Sequence, residues 1–302
     1  MNSPTRRGAA AVLVLTVALF LGQQLLGNSS PPDGNRVTIL YDAFGRPSAM
    51  TKDWGYSALI EYGGRRILFD IGNNPAILEK NVKAAGVDLK KLDFVVLSHR
   101  HLDHTAGLKY LLGMNPEVKI YVPRDGMFGG SIPSKFYRRQ DSLPSEMKYF
   151  AGRPTEPLTS GVPWLDGKFQ MVDSIVEVVP GVHLISLVSD AVGTKELPEL
   201  SMAIETPRGL IVVAGCSHPG IERIVAAAAG IKQQVYGVFG GLHLPTASDQ
   251  EVARIATVLH DTYKVERIAP GHCTGEPAFY MLERRWKDRY TYAGVGTVIQ
   301  LP

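Results

Sequence analysis

Apolar positions along this chain fall into short runs separated by turns rich in glycine and proline. Residues 37–41, 56–61 and 66–69 are three such runs, broken at Gly63-Gly64, and they predict an antiparallel meander of strands. Residues 75–85 carry a helix signature, with Pro75 at the start and Gly86 just past the end. The run Phe94-Val95-Val96-Leu97 predicts a strand, and a helical pattern follows soon after. In the second half, strands are expected at 175–179, 182–187, 201–205, 210–214, 235–239, 265–269 and 295–301, with helices at 221–229, 248–262 and 277–286. Strands with interspersed helices in both halves predict two packed sheets with helices outside.

The pattern fails in two places. Between residues 123 and 170, prolines, glycines and aromatics alternate with Lys135, Arg138, Arg139, Lys148 and Arg153. So long a structureless stretch inside a compact domain is usually functional, and it reads as an inserted lid or substrate-binding segment, with a variable surface excursion as the alternative. At the N-terminus, Arg6-Arg7 precede an apolar stretch over 9–21 and then polar and small residues to Pro32. Residues 1–33 therefore read as a signal peptide or N-terminal anchor. The apolar run is short of the ~20 residues that a membrane span needs unless residues 22–26 extend it. Thr5-Arg6-Arg7 weakly resembles a twin-arginine signal. The expectation is an exported protein, periplasmic or anchored facing outward, whose residues 34–302 form the working domain.

Composition narrows the function classes. A chain of 302 residues with 45% hydrophobic content can bury a sizeable core. Its formal charge of +3, with no long basic run, gives no footprint for nucleic acid and leaves a small-molecule substrate as the expected partner. Membrane contact is expected only through the N-terminal segment. The two cysteines, Cys216 and Cys273, can pair in an oxidising compartment or remain thiols.

Chemistry concentrates at residues 98–107, Ser-His-Arg-His-Leu-Asp-His-Thr-Ala-Gly. Residues two apart on a strand face the same way, so His99 and His101 can meet one ion. Asp103 and His104 fall in the next turn, aimed at a neighbouring point. Imidazole with carboxylate suits zinc, with iron or manganese as alternatives, on one or two divalent ions. A solvated histidine cluster with Asp103 as a helix cap is the competing reading. Three glycine-flanked histidines follow other strands: Gly215-Cys216-Ser217-His218, Gly241-Leu242-His243 and Gly271-His272-Cys273. His272 is the strongest further ligand, because the glycine before it permits close approach. His218 comes next, with Cys216 as a thiolate or bridging ligand. His243 reads as a substrate contact or outer hydrogen-bond donor, and with Asp103 it forms the expected catalytic pair. His183, His260 and Asp70 read as structural.

His99-Arg100-His101-Leu102-Asp103-His104 resembles the signature of the metallo-β-lactamase fold superfamily. Trp54-Gly55-Tyr56-Ser57, Leu68-Phe69-Asp70-Ile71-Gly72, Gly215-Cys216-Ser217-His218-Pro219-Gly220, Gly240-Gly241-Leu242-His243-Leu244 and Pro270-Gly271-His272-Cys273-Thr274-Gly275 resemble one subgroup of it. That subgroup is described as 7,8-dihydropterin-6-methyl-4-(β-D-ribofuranosyl)aminobenzene-5'-phosphate synthase or as metal-dependent hydrolases. The resemblance covers about residues 37–300. It implies an α/β fold, a four-layer αβ/βα sandwich with metal at the sheet edge. It also implies His99 and His101 on a first ion, and Asp103, His104 and His272 on a second. The first ion's third ligand and the bridging group stay open, with Cys216 and His218 on offer. The subgroup pattern has other residues at Arg100, Leu102 and Ala106; these changes spare the ligands and bear on substrate. The implied activity is hydrolysis of a small ester-type substrate, phosphorylated or pterin-related, by metal-activated water. A β-lactamase or lactonase on the same fold and a non-enzymatic periplasmic metal-binding module are the alternatives.

Overall fold

The computed structural model describes residues 1, 34–129, 141–142, 144–148, 164, 166–232 and 234–302. The segment expected as a signal or anchor, and most of the expected lid at 123–170, lie outside the described residues. The chain divides into two units, Met1–Gly34 and Asn35–Pro302, and the architecture below is that of the second. Among the described residues, no helix is long and apolar enough to cross a membrane.

Strands β1 (Arg36–Tyr41), β2 (Ser57–Tyr62) and β3 (Arg65–Phe69) pair antiparallel as the meander the sequence predicts. From β3 the sheet continues in parallel through β4 (Phe94–Val96), β5 (Lys119–Pro123) and β6 (Lys168–Val172). In the second sheet, β7 (Val176–Val179), β8 (Val182–Val188), β9 (Pro198–Thr206) and β10 (Gly209–Ala214) are antiparallel. Then β11 (Val235–Gly241) and β12 (Arg267–Gly271) run parallel to β10. A last short strand, β13 (Val298–Gln300), returns to the first sheet beside β1.

Alternation within each strand dictates the layers. In β10, Ile211 and Val213 face the cluster between the sheets, whereas Leu210 and Val212 face outward onto helices. In β3, Ile67 and Phe69 point inward and Leu68 outward in the same way. Strands covered on both faces need apolar residues on both, which explains the unbroken run Leu210-Ile211-Val212-Val213. Each such buried side chain contributes about 1.5–3 kcal/mol relative to exposure. Helices α1 (Pro75–Ala84) and α3 (Leu108–Met114), with the short α2 (Leu102–Thr105) between them in sequence, belong to the first half. Leu78 and Val82 of α1, with Leu108 and Leu111 of α3, cover the outer face of the first sheet. Helices α4 (Ile221–Ile231), α5 (Asp249–Thr257) and α6 (Glu276–Trp286) cover the second. The result is a four-layer αβ/βα sandwich.

Three details depart from the sequence reading. The pattern does not announce β5 or β6, edge-side strands whose short runs mix Lys119, Pro123, Lys168 and Gln170 with apolar residues. The terminal strand is shorter than 295–301. The helix expected over 248–262 is α-helical only to Thr257 and finishes as a π-turn at Val258–Thr262.

Candidate metal centre

Parallel strands present their carboxyl ends at one edge, the usual position for ligand sites in α/β sheets. Here the loops after β3, β4, β10, β11 and β12 meet there. Two hydrogen bonds join the sheets at this edge: Leu200 N–H donates to Ser98 O at 2.8 Å, and His272 N–H donates to the Asp42 side chain at Oδ2 at 2.8 Å. Gly215 allows the approach, since a Cβ on it would lie 2.2 Å from Ser98 Oγ and 2.7 Å from Asp70 Oδ2.

The structure brings together every ligand named from sequence. His99, His101 and His218 offer ring nitrogens within 4.8 Å of one another, as do Asp103, His104 and His272 with their own ligand atoms. His99 Nε2 lies 3.0 Å from His101 Nδ1, and His104 Nε2 lies 3.2 Å from His272 Nε2. Cys216 sits between the two groups: its Sγ is 3.2 Å from His104 Nε2, and it also groups with His99. His218 thus lies beside His99 and His101, and Cys216 lies between the two groups. The two cysteines are free thiols with Sγ atoms 3.4 Å apart.

Behind these groups stand side chains that fix the rings. Asp70 Oδ2 accepts from His104 Nδ1 at 2.7 Å, and its two oxygens also accept from Ser98 N–H and Oγ–H at 2.7 and 2.8 Å. Ser98 Oγ lies 2.9 Å from His99 Nδ1. Glu199 accepts from His218 Nδ1 at 2.8 Å and from the N–H groups of Cys216, Ser217 and His218 at 3.1, 2.7 and 2.9 Å. With Nδ1 so engaged in three rings, each Nε2 is left for the centre, the arrangement that outer carboxylates impose on metal-ligating histidines. Asp70, Ser217, His243 and His272 hold φ of +57°, +68°, +53° and +45°, conformations that cost about 1–3 kcal/mol each and gather at functional sites.

Electrostatics agree with a cation-binding role. Burial and the surrounding imidazoles hold His99 well below its ordinary pKa, and burial with His218 lowers His101 to about 4, so both are neutral donors. Burial opposes ionisation of Asp103, but His272 and His104 outweigh it and keep the carboxylate charged. Burial also disfavours the His104 imidazolium, yet Asp70 overrides it and pushes the pKa up to about 9. Neutral imidazoles at His99 and His101, with an ionised carboxylate and a thiol nearby, fit one or two divalent ions, and His104 gives up its second proton when an ion takes its Nε2.

His243 lies at the opening, exposed, with its ring centroid 4.3 Å from that of His218, and it shares a hydrogen bond with Cys273. Trp54, half exposed, has its ring centroid 5.0 Å from that of His272. Away from the centre, His183 pairs with Glu205 at 2.9 Å and the His260 ring lies 5.1 Å from Trp286. Sequence reasoning missed Glu199 and Asp42. Their only signal is a carboxylate at the start of one apolar strand and at the end of another.

Residues 51–197 match the family described as the metallo-beta-lactamase superfamily. The chain is similar to 7,8-dihydropterin-6-methyl-4-(beta-D-ribofuranosyl)-aminobenzene-5'-phosphate synthase of Methanocaldococcus jannaschii, 28% identical over 292 residues, spanning 87% of this chain and 95% of the relative. Tm1679, described as a metal-dependent hydrolase of the beta-lactamase superfamily, superposes with a TM-score of 0.66 at 23% identity over 88% of this chain and 99% of its own. The metallo-beta-lactamase fold protein YhfI of Bacillus subtilis gives a TM-score of 0.56 at 16% identity, over 89% of this chain and 100% of its own. Residues 35–302 therefore carry the metallo-β-lactamase fold, and residues 51–197 within them match the metallo-beta-lactamase superfamily.

Proposed function

We propose that this protein is a metallo-hydrolase that uses water to open a small ester-type bond in a phosphorylated or pterin-related substrate. The observation that carries this reading is the position of Asp103. Its Oδ2 stands 3.7 Å from His104 Nε2 and 3.4 Å from His272 Nε2, while 20% of its side chain stays open to solvent. An ionised carboxylate on the open side is what a hydrolase needs and a storage site does not. His99, His101 and His218 would hold one ion, and Asp103, His104 and His272 the other, with zinc favoured by the donors and iron or manganese as alternatives. When bound, such ions supply Lewis acidity and a water acidic enough to attack at neutral pH.

The chain's own groups do the rest. Asp103 orients the attacking water and receives its proton at a carboxylate oxygen. His243, whose pKa is raised by its hydrogen bond to Cys273, donates to the substrate oxygen that gains charge. Trp54 offers a flat apolar face beside His272 for a planar ring. The charged-then-apolar N-terminus supports export, to the periplasm or to an outward-facing anchor. Condensation in place of hydrolysis is a second reading, favoured by the synthase named among the relatives.

Elemental analysis paired with a chromogenic panel of phosphodiester, phosphomonoester, lactone and β-lactam substrates, before and after chelation, tests the proposal. Chelator-sensitive turnover supports the hydrolase and identifies its bond class. Coupling of a pterin to a ribosyl aminobenzene phosphate without panel turnover supports the synthase. Bound metal with neither activity leaves a non-enzymatic metal-binding module.

A further inference from the structure

Beyond the two ion positions above, we propose a third, sulfur-rich cation site made by Cys216, Cys273 and His243, with Cys216 shared between it and the dinuclear centre. The Sγ atoms of Cys216 and Cys273 are 3.4 Å apart, and a His243 ring nitrogen lies with both inside a 4.8 Å group. Two thiolates on one tetrahedral ion with metal–sulfur bonds of about 2.3 Å stand roughly 3.8 Å apart, so a shift of a few tenths of an ångström suffices. Both cysteines are buried, yet neither is packed as a simple apolar residue. Cys216 Sγ faces His104 Nε2 at 3.2 Å on one side and Cys273 Sγ on the other.

The loops are shaped around the sulfurs. A Cβ on Gly241 would fall 2.9 Å from Cys273 Sγ and 2.2 Å from Gly215 O, so only glycine lets these strand ends close. His243 adopts φ +53° immediately after Leu242 and belongs to the same ligand group as the two sulfurs. Two cysteines and one histidine are softer donors than Asp103, His104 and His272, and they leave a fourth position open. Ligation through one ring nitrogen takes the place of the hydrogen bond to Cys273 and leaves the other N–H of His243 as a donor toward the opening. The thiol protons are released to solvent as the ion binds.

The test uses the full chain, purified and loaded without oxygen, with cobalt(II) and zinc(II) as probes. The expected result is about three ions per chain, with near-ultraviolet sulfur-to-cobalt charge transfer and about two sulfur ligands at one zinc in X-ray absorption. Cys273→Ser should lower the count to about two ions and remove about half of the charge-transfer intensity, with far-ultraviolet circular dichroism unchanged. The wild-type absorption data decide the matter even if the variant misfolds. No more than two ions with at most one sulfur ligand overturns the proposal. A protein lighter by two hydrogens, its cysteines joined in a disulfide, overturns it too. Neither readout depends on turnover, so failure here is separable from failure of the hydrolase reading.

Discussion

Glu199 holds His218 from a strand 19 positions away, with Oε2 2.8 Å from Nδ1 and both side chains buried. Burial alone would raise the Glu199 carboxyl. The His218 ring, together with the N–H groups of Ser217 and His218, outweighs it and keeps the group ionised. Glu199→Gln should therefore cost about 1–3 kcal/mol by setting an amide NH₂ against backbone donors. It should also weaken binding of the first ion by about 10–100-fold. Thermal unfolding and competition with a chromophoric chelator measure the two effects, and unchanged affinity would remove Glu199 from the centre.

Asp103 is the residue on which turnover is expected to depend. Asp103→Asn should reduce kcat by about 10²–10⁴-fold with circular dichroism unchanged. Wild-type kcat in this variant would end its assignment as the group that handles the water.

Asp70 touches no ion in the proposed arrangement, yet it ties β3 to Ser98 and His104 through three hydrogen bonds. Asp70→Ala removes a buried partner from all of them and should destabilise by about 3–5 kcal/mol, read as a fall in the denaturant midpoint. Loss of less than ~1 kcal/mol would mean that water replaces the carboxylate.

The close approach at Gly215 predicts a small change with a large effect. Gly215→Ala pushes a methyl into Ser98 Oγ and Asp70 Oδ2 and should cost about 1–3 kcal/mol. Metal content measured beside stability separates a distorted centre from general loosening.

Trp54 predicts a division between binding and chemistry. Trp54→Ala should raise KM with little change in kcat or metal content, because its half-exposed ring lies beside His272 and carries no ligand atom directed at the ions. A fall in kcat at unchanged KM would place Trp54 in the chemical step.

Legibility in the sequence followed distance along the chain. His99, His101, Asp103 and His104 share one turn, so spacing alone grouped them. His218 and His272 were readable because each follows an apolar strand and a glycine. Glu199 and Asp42 were not, since it is the pairing of β8 with β9 and of β1 with β2 that brings them to the edge. Asp70 reads as structural from the sequence, and its hydrogen bond to His104 adds what sequence could not supply, a ring to orient. The meander and the helices at 75–85 and 277–286 were legible from their punctuation. Strands β5 and β6 were not, because edge-side positions tolerate lysine, glutamine and proline that blur alternation.

His104 and His272 are 168 positions apart, and their Nε2 atoms face each other at 3.2 Å. An ion held by both closes most of the domain into a ring, a removable tie between early and late chain. A molecule cut once anywhere between those histidines should still travel as one piece in gel filtration and come apart more readily when a chelator is added. The ions would then govern the protein's endurance against proteolysis as well as its chemistry.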